Sequence, residues 1–221
     1  MAELADYLER ARSLAGLHVA SLLDDSNPLH KGSVGTAIER ALGIVPSSAP
    51  TPDVPELGLE VKTLPVADGR VLESTWVCTA PPEALAHETW ATSCARAKLS
   101  CVLFVPVESG PIAAEARRVG TSFLWRFDDD EERILRTDWE DLADIVANGL
   151  GFAVTARRGV ALQLRPKAAN ARVRNTQRSV DGDEYEGAPQ GFYLRRSFTQ
   201  RIVDARFTSG ATCSRFAARC R

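Results

Sequence analysis

Apolar positions along the first quarter of the chain predict two short helices and then a loop. Residues 2–14 carry apolar side chains at helical spacing, which predicts an amphipathic helix. A second helix is predicted over residues 34–42, with Ser33 as its N-cap and Gly43 as its stop. Residues 44–55, rich in Pro and Ser, are a predicted loop that leads into the next element.

That next element is a predicted strand whose two faces differ in character. Side chains alternate between the faces of a strand, so Leu59 and Val61 are expected to enter a core. Glu60 and Lys62 then project together from the opposite face. The strand therefore presents a carboxylate and an ammonium two positions apart.

The remaining pattern alternates predicted strands with helices. A turn at Asp68-Gly69 is expected to join the first strand to the next in a hairpin. Trp125 and Trp139 are expected in the core, the latter on a helix that opens at Asp128. The other predicted elements are strands over 71–79, 101–107, 119–127, 152–156 and 160–164, a mobile loop over 171–188, and a final helix over 198–207.

Composition narrows the class of protein. The 221 residues are 44% hydrophobic and 25% charged, as in an ordinary globular chain, which excludes fibres and membrane spans. No apolar run is long enough for a signal peptide or a transmembrane helix, so no membrane partner is expected. The five Cys match no zinc spacing, which favours reduced, core thiols in a cytoplasmic protein.

Charge is distributed unevenly along the chain. Residues 151–221 carry 14 Lys and Arg against 5 Asp and Glu, a basic excess suited to a polyanion such as DNA. The alternative is a solvated face with an Arg-rich tail. The excess of acidic residues in residues 1–150 suits either metal binding or an interaction surface for a partner.

Lysine is rare in this sequence. The chain has 23 Arg but only four Lys. A chain so biased toward Arg is expected to keep Lys where a compact, rotatable ammonium matters. The alternative is that the positions of the four Lys are accidental. The four are Lys31, Lys62, Lys98 and Lys167.

A metal-dependent hydrolase site is the chemical interpretation of Asp53, Glu60 and Lys62. If Asp53 lies beside Glu60, two carboxylates meet where Mg²⁺ could bind, and Lys62 could touch an attacking water or a phosphate. An Asp followed by Glu-x-Lys is a loose pattern, however. Charges on a strand edge also commonly face solvent, so the pattern alone leaves both interpretations open.

Five longer segments turn this pattern into a resemblance. The five segments are Gly58–Pro65, Leu72–Cys78, Arg118–Gly120, Leu164–Ala171 and Gly191–Leu194. The run Arg165-Pro-Lys-Ala-Ala-Asn170 is far more specific than the Glu-x-Lys pair. These segments occur in the same order in the MutH family of bacterial mismatch-repair endonucleases, which the chain resembles from about residue 2 to about residue 207.

The resemblance implies an α/β fold with a mixed sheet flanked by helices, the restriction-endonuclease-like PD-(D/E)xK core. It implies one endonuclease domain over 1–207, with two arms around a DNA-binding cleft. The catalytic acidic residues would lie in an arm of about 1–100 and the recognition elements in an arm of about 101–207. Residues 208–221 are expected to be a flexible basic tail.

The resemblance also implies an activity and its partners. The family nicks the unmethylated strand of double-stranded DNA at hemimethylated GATC sites, with Mg²⁺ as cofactor and MutL as activator, and we expect a monomer. Two alternatives remain. A type II restriction endonuclease specific for GATC would cut both strands without MutL, and a catalytically silent DNA-binding module would not cut.

Carried over by position, the resemblance assigns roles to individual residues. Tyr193 is the expected sensor of the adenine methyl group, because a rigid ring could exclude a methyl, although partial burial under a neighbouring segment would equally explain a Tyr there. The other assignments are metal ligation by Asp53, Glu60 and Glu39, catalysis by Lys62 and Lys98, and DNA contact by Lys31, Arg165 and Lys167.

Overall fold

The computed structural model describes residues 3–23, 32–113, 116–150, 154, 158–167, 175–178 and 184–208. Within these ranges, every helix is too short or too polar to span a lipid bilayer. The helices are α1 (Leu4–Ser13), α2 (Ser33–Ala41), α3 (Pro82–Leu85), α4 (Cys94–Leu99), α5 (Asp129–Ala147) and α6 (Arg196–Thr208). The strands are β1 (Glu60–Ala67), β2 (Arg70–Val71), β3 (Thr75–Thr79), β4 (Val102–Glu108), β5 (Phe123–Trp125), β6 (Leu162–Pro166), β7 (Asn175–Arg178), β8 (Glu184–Gly187) and β9 (Gln190–Leu194).

The chain divides into two compact units, and each is assembled from separated segments. The first unit comprises residues 1–73, 100–126 and 199–221, and the second comprises 74–99 and 127–198. The sequence suggested two consecutive arms instead, of about 1–100 and about 101–207. The chain crosses between the units several times, and the pattern of apolar and polar residues does not show where it crosses.

The first unit is built on a mixed four-stranded sheet in the order β2, β1, β4, β5. β1 and β4 are parallel, with Val61 paired to Leu103, while β2 and β5 are antiparallel additions. Val61 and Leu103 share one face of the sheet. They pack in a core with Ile38 of α2 and with Leu42, the C-cap residue of that helix. The predicted mixed α/β fold and the inward position of Val61 are confirmed.

The opposite face of the same sheet is aromatic. Phe104 lies with its ring centre 5.4 Å from that of Phe123 and 6.0 Å from that of Trp125. Phe207 of α6 contacts Phe123 edge-on, with 5.5 Å between the ring centres. Lys62 is paired in register with Phe104, so the charged side chains of β1 project from this aromatic face of the sheet.

Two details of the first unit differ from the prediction. Gly32 is the N-cap of α2, at φ 103°, and Ser33 is its first helical residue, so the N-cap prediction was wrong by one position. The hairpin is also shorter than predicted, because only Val66–Val71 and Ala67–Arg70 pair across the turn. The rest of the predicted strand 71–79 is interrupted, since β3 leaves to join the sheet of the second unit.

The second unit is built on an antiparallel sheet in the order β3, β9, β6 and on the long helix α5. Asp128 caps α5, accepting a hydrogen bond from the backbone N–H of Glu131, as the acidic start of the helix predicted. Trp139 of α5 is buried and lies with its ring centre 6.4 Å from that of Phe192 in β9. The predicted core position of Trp139 is confirmed.

Residues 171–188 were expected to be a mobile loop. Their described part forms an antiparallel pair, β7 with β8, in the register Thr176 to Glu186. The Thr176 hydroxyl donates a hydrogen bond to Glu186 Oε1 at 2.8 Å. Alternating charges had argued for a solvated loop, but they also suit a two-stranded ribbon without a core face. The predicted strand 152–156 and the tail beyond Thr208 fall outside the described residues, apart from Val154.

Candidate active site and nucleic-acid interface

Glu60 and Lys62 form a buried ion pair at the start of β1. The Lys62 ammonium donates a hydrogen bond to Glu60 Oε1 at 2.6 Å, and the two residues are only 7% and 3% exposed. Strand alternation places them on one face, as predicted, and Phe104 beside Lys62 makes the surroundings apolar. The alternative of a solvent-facing charged edge is therefore wrong.

A closed loop brings Asp53 back to the same strand. Val54 and Leu59 exchange backbone hydrogen bonds at 2.9 and 3.1 Å, so the residues between them turn through a short 3-10 segment that ends at Gly58. Gly58 has φ 60°, which a residue without a Cβ adopts without strain. Asp53 Oδ2 accepts a hydrogen bond at 2.8 Å from the N–H of the peptide group that joins Glu60 to Val61.

Asp53 and Glu60 are seven positions apart in the sequence but are close together in space. Asp53 is half-buried, and its carboxylate is oriented by the backbone of β1 itself. This confirms the expectation that Asp53 lies on the segment beside Glu60. It does not assign a role to either carboxylate.

Glu39 lies half-buried on α2, the helix whose residue Ile38 packs in the same core as Val61. Among the described residues, no group of three or more His, Cys, Asp or Glu side chains is close enough to hold a metal ion. The part of Glu39 in a three-carboxylate set stays a prediction.

The described structure does not test the predicted roles of two of the four lysines. Lys31 falls outside the described residues. Lys98 is buried on α4, at 8% exposure, and belongs to the second unit. Their predicted contacts with DNA and with the active site stay predictions.

The donor set in the first unit fits a hard divalent cation. Asp53 and Glu60 offer carboxylate oxygens, which Mg²⁺ prefers, and Mg²⁺ commonly takes one or two carboxylates and fills its other positions with water and substrate oxygens. Lys62 already pairs with Glu60 in the apolar surroundings, so the Glu60 charge is compensated before a metal binds. The residues present are therefore compatible with such a metal.

A second set of polar residues lies on one face of the sheet in the second unit. Arg165 is exposed near the end of β6 and is paired in register with Gly191. Its guanidinium donates a hydrogen bond from Nη1 to Ser74 Oγ at 2.7 Å, and its Cζ lies 5.6 Å from the ring centre of Tyr193. Both contacts orient the guanidinium along the sheet surface.

Lys167 and Tyr193 meet on the ring of Trp76, a residue to which the sequence gave no role. Lys167 Nζ lies 4.0 Å from the centre of the Trp76 ring, within cation–π range. Tyr193 contacts the same indole edge-on, with 5.0 Å between ring centres. The sheet thus brings together the predicted recognition residues Arg165, Lys167 and Tyr193, and Trp76 joins them.

The absence of a side chain at Gly191 leaves room for the Trp76 ring on this face of the sheet. A Cβ at Gly191 would collide with the Trp76 indole ring, so a glycine is required beneath it. A signal for Trp76 was present in the sequence, because Leu72–Cys78 was among the segments that carried the resemblance. No local pattern, however, linked it to a lysine 91 positions later.

Helix α5 is tied to the rest of the second unit by Glu132. Its Oε1 accepts hydrogen bonds from Arg96 Nε at 2.7 Å and from Trp90 Nε1 at 3.1 Å. The hydrogen bond from Arg96, followed by the one from Trp90, holds the pKa of Glu132 below its usual value. The second unit therefore contains a carboxylate that favours its charged form.

A mixed α/β core with Asp53, Glu60 and Lys62 gathered at the start of its central strand has the architecture of a restriction-endonuclease-like nuclease. The profile of the family described as "DNA mismatch repair enzyme MutH" matches residues 42–138. That range includes all three of these residues.

Relatives extend the match to nearly the whole chain. "DNA mismatch repair protein MutH" of Vibrio parahaemolyticus is 43% identical over 208 residues, which cover 90% of this chain and 92% of the relative. The protein of that name from Pectobacterium atrosepticum is 43% identical over 209 residues, 90% of each chain. That of Shewanella putrefaciens is 40% identical over 213 residues, 92% of this chain and 96% of the relative. The chain belongs to the MutH family and is a DNA endonuclease of mismatch repair.

Proposed function

We propose that this endonuclease nicks the unmethylated strand at hemimethylated GATC sites in double-stranded DNA, with Mg²⁺ as its metal and MutL as its activator. The observation that carries the proposal is the buried Glu60–Lys62 pair beside Asp53, in a chain 43% identical to a named mismatch-repair relative. This pair supplies the opposite charges that phosphodiester hydrolysis requires at one place.

In this proposal the carboxylates of Asp53 and Glu60, with Glu39 as a third acidic residue, would hold Mg²⁺. A bound divalent metal lowers the pKa of water toward neutrality and stabilises negative charge on a phosphate. The Lys62 ammonium would stand at the attacking water or at the scissile phosphate, where it stabilises developing negative charge, and Lys98 would support it. A compact ammonium suits this position better than a planar guanidinium.

Base recognition is proposed for the sheet face of the second unit. Arg165 and Lys167 carry the donors that bind O6 and N7 of guanine, and a protein distinguishes bases through such edges in the major groove. Tyr193 would pack against the adenine amino group and exclude a methyl there. Lys31 would contact a phosphate, which adds affinity but no sequence preference.

We also propose that the enzyme acts as a monomer in the cytoplasm. Nicking one strand requires one active site, whereas cutting both strands at once generally requires two. The cytoplasm is where bacterial chromosomal DNA lies, and the named relatives are bacterial.

The test is nicking of a supercoiled plasmid that carries a single GATC site, prepared unmethylated, hemimethylated or fully methylated. We expect conversion to the open circle that needs Mg²⁺, is accelerated by MutL and is absent with full methylation. The control is a plasmid whose site is changed at one base. Linear product formed without MutL would instead indicate a restriction enzyme, and binding without any cut would indicate a silent module.

A further inference from the structure

Two carboxylates on the same face of α5 hold the segment that leads into β6. Asp141 binds Arg158 through two hydrogen bonds of 2.5 Å, and both side chains are about half exposed. Asp138, three residues earlier, is buried at 7% exposure and binds the backbone further along the same segment. Both contacts are hydrogen bonds to a carboxylate. The Asp141 contact is partly exposed, whereas the Asp138 carboxylate is buried.

The Asp138 carboxylate collects the N–H groups of three consecutive residues. The backbone N–H of Val160 lies 3.0 and 2.8 Å from its two oxygens, and Oδ2 also accepts from Ala161 at 2.5 Å and from Leu162 at 2.8 Å. These donors are the first residue of β6 and the two residues before it, and they are buried or part-buried, so without the carboxylate they would lose their partner. Hydrogen bonds to a charged acceptor are stronger than neutral ones, and leaving such donors unpaired is costly.

The chain bends closely around this carboxylate. Gly159 has φ +87°, and a Cβ there would collide with the carbonyl oxygen of Leu162 and lie 3.3 Å from Cγ of Asp138. Only glycine adopts this conformation without strain, and only glycine leaves room for the turn. The sequence of the turn is therefore matched to the carboxylate.

The strand that leaves this turn carries the recognition residues. Leu162 is paired to Leu194, and Arg195 donates its backbone N–H to the carbonyl of Ala161 at 2.7 Å, which locks the register of β6 on β9. Arg165 follows three residues after Leu162. A shift at the first residue of a strand this short is transmitted to its last.

We propose that Asp138 is a positioning residue for DNA recognition. It attaches the start of β6 to α5, and in this way it determines where Arg165 and Lys167 lie along the sheet. The inference rests on the proposed recognition role of those two side chains. Asp138 itself is buried and exerts its effect through the strand that it holds.

The test compares Asp138→Asn with Asp141→Asn. Both changes replace one carboxylate of α5 by its amide, and both affect the segment 158–162, but only the first affects the buried contact. In Asp138→Asn one carboxylate oxygen is replaced by an NH₂ group. That group is itself a donor, so it would face a backbone N–H that had donated a hydrogen bond to the carboxylate. The readouts are kcat and KM for hemimethylated GATC DNA, the ratio of Kd values for a GATC duplex and one with a single base changed, and Tm.

We expect Asp138→Asn to lower the preference for GATC by about tenfold and to raise KM while kcat changes little. Asp141→Asn should keep both. The preference is the informative readout, because a smaller folded fraction lowers binding to both duplexes equally. If Asp138→Asn does not fold, Asp138→Glu keeps the charge but moves the carboxylate by one methylene, and it should lower the preference in the same direction.

Lys167→Ala distinguishes a failure of the positioning role from a failure of the recognition proposal. If it loses GATC preference while folded Asp138→Asn and Asp138→Glu both keep it, the positioning role is overturned and the recognition proposal stands. If Lys167→Ala and Arg165→Ala keep the preference as well, the recognition proposal is overturned together with this inference.

Discussion

The ammonium of Lys62 lies 2.6 Å from a carboxylate oxygen of Glu60, and both side chains are buried. Removing one member of such a pair leaves an uncompensated buried charge and costs about 3–5 kcal/mol. We therefore expect Lys62→Met to abolish nicking and to lower the free energy of unfolding by a similar amount in EDTA. Mg²⁺ should stabilise this variant more than the wild type, because the metal no longer competes with an ammonium for Glu60.

Urea denaturation in EDTA and in Mg²⁺ measures this effect without any reaction. The control is the double variant Glu60→Gln with Lys62→Met, which removes both charges and should recover most of the lost stability. A single variant as stable as the wild type in EDTA would contradict the buried ion pair.

Asp53→Asn should separate charge from structure at the neighbouring carboxylate. The amide oxygen can still accept the hydrogen bond from the Val61 N–H, so the loop should keep its shape while the negative charge is lost. We expect nicking to fall by at least about 100-fold. Binding of GATC DNA in EDTA, measured by fluorescence anisotropy, should stay within about twofold of the wild type, a difference of about 0.4 kcal/mol.

Asp53→Ala is the matched comparison. It should lose nicking to the same extent but also lower stability by about 1–2 kcal/mol, because the Val61 N–H then loses its acceptor. Nicking by Asp53→Asn at the wild-type rate would remove Asp53 from the catalytic set.

The contact between Lys167 and Trp76 should appear as a coupling energy in DNA binding. Exposed and partly buried cation–π contacts contribute about 0.5–2 kcal/mol, so a double-mutant cycle of Lys167→Met and Trp76→Leu should give a coupling in that range on GATC DNA. On DNA without the site the coupling should be smaller. Additive effects on both DNAs would show that Trp76 does not orient the ammonium.

Tyr193→Ser should relax discrimination against methylated DNA. The ring packs edge-on against Trp76 and is thereby held in one orientation, as exclusion of a single methyl group requires. We expect the variant to cut fully methylated GATC measurably while it still cuts unmethylated DNA. Tyr193→Phe, which keeps the ring, should stay selective. Loss of both activities in equal proportion would make Tyr193 structural.

Glu132 should make a pH-dependent contribution to stability. Its pKa in the folded protein is lowered, first by the hydrogen bond from Arg96 and then by the one from Trp90. A lowered carboxyl pKa gives stability that is complete above the unfolded value of about 4.3 and is lost as pH falls through the folded value.

We therefore expect wild type to exceed Glu132→Gln in stability at neutral pH by less than about 1 kcal/mol, since the pair is partly exposed. The difference should begin to shrink as the pH falls below about 4.3 and should disappear once the pH is below the lowered pKa of Glu132. Unfolding by urea at several pH values checks this. A difference that persists unchanged in acid would show that the effect is not the carboxylate charge.

Local pattern predicted the elements whose cause is local. The capped start of α5 at Asp128 and the opposite faces of Val61 and Glu60 both follow from side-chain spacing, and the structure has both. The neighbourhood of Asp53 and Glu60 was also accessible, because Gly58 closes a short loop between them. Each of these relations spans fewer than ten residues.

The sequence by itself determined the mixed α/β fold, the family and the charged strand at the centre of the first unit. The tertiary structure alone decided that β3 leaves its predicted hairpin, that Trp76 lies under Lys167 and that Asp138 holds the start of β6. These relations join residues far apart in the chain. They depend on which strands pair and which groups lose water together, and hydropathy, capping and turn patterns reflect only near neighbours.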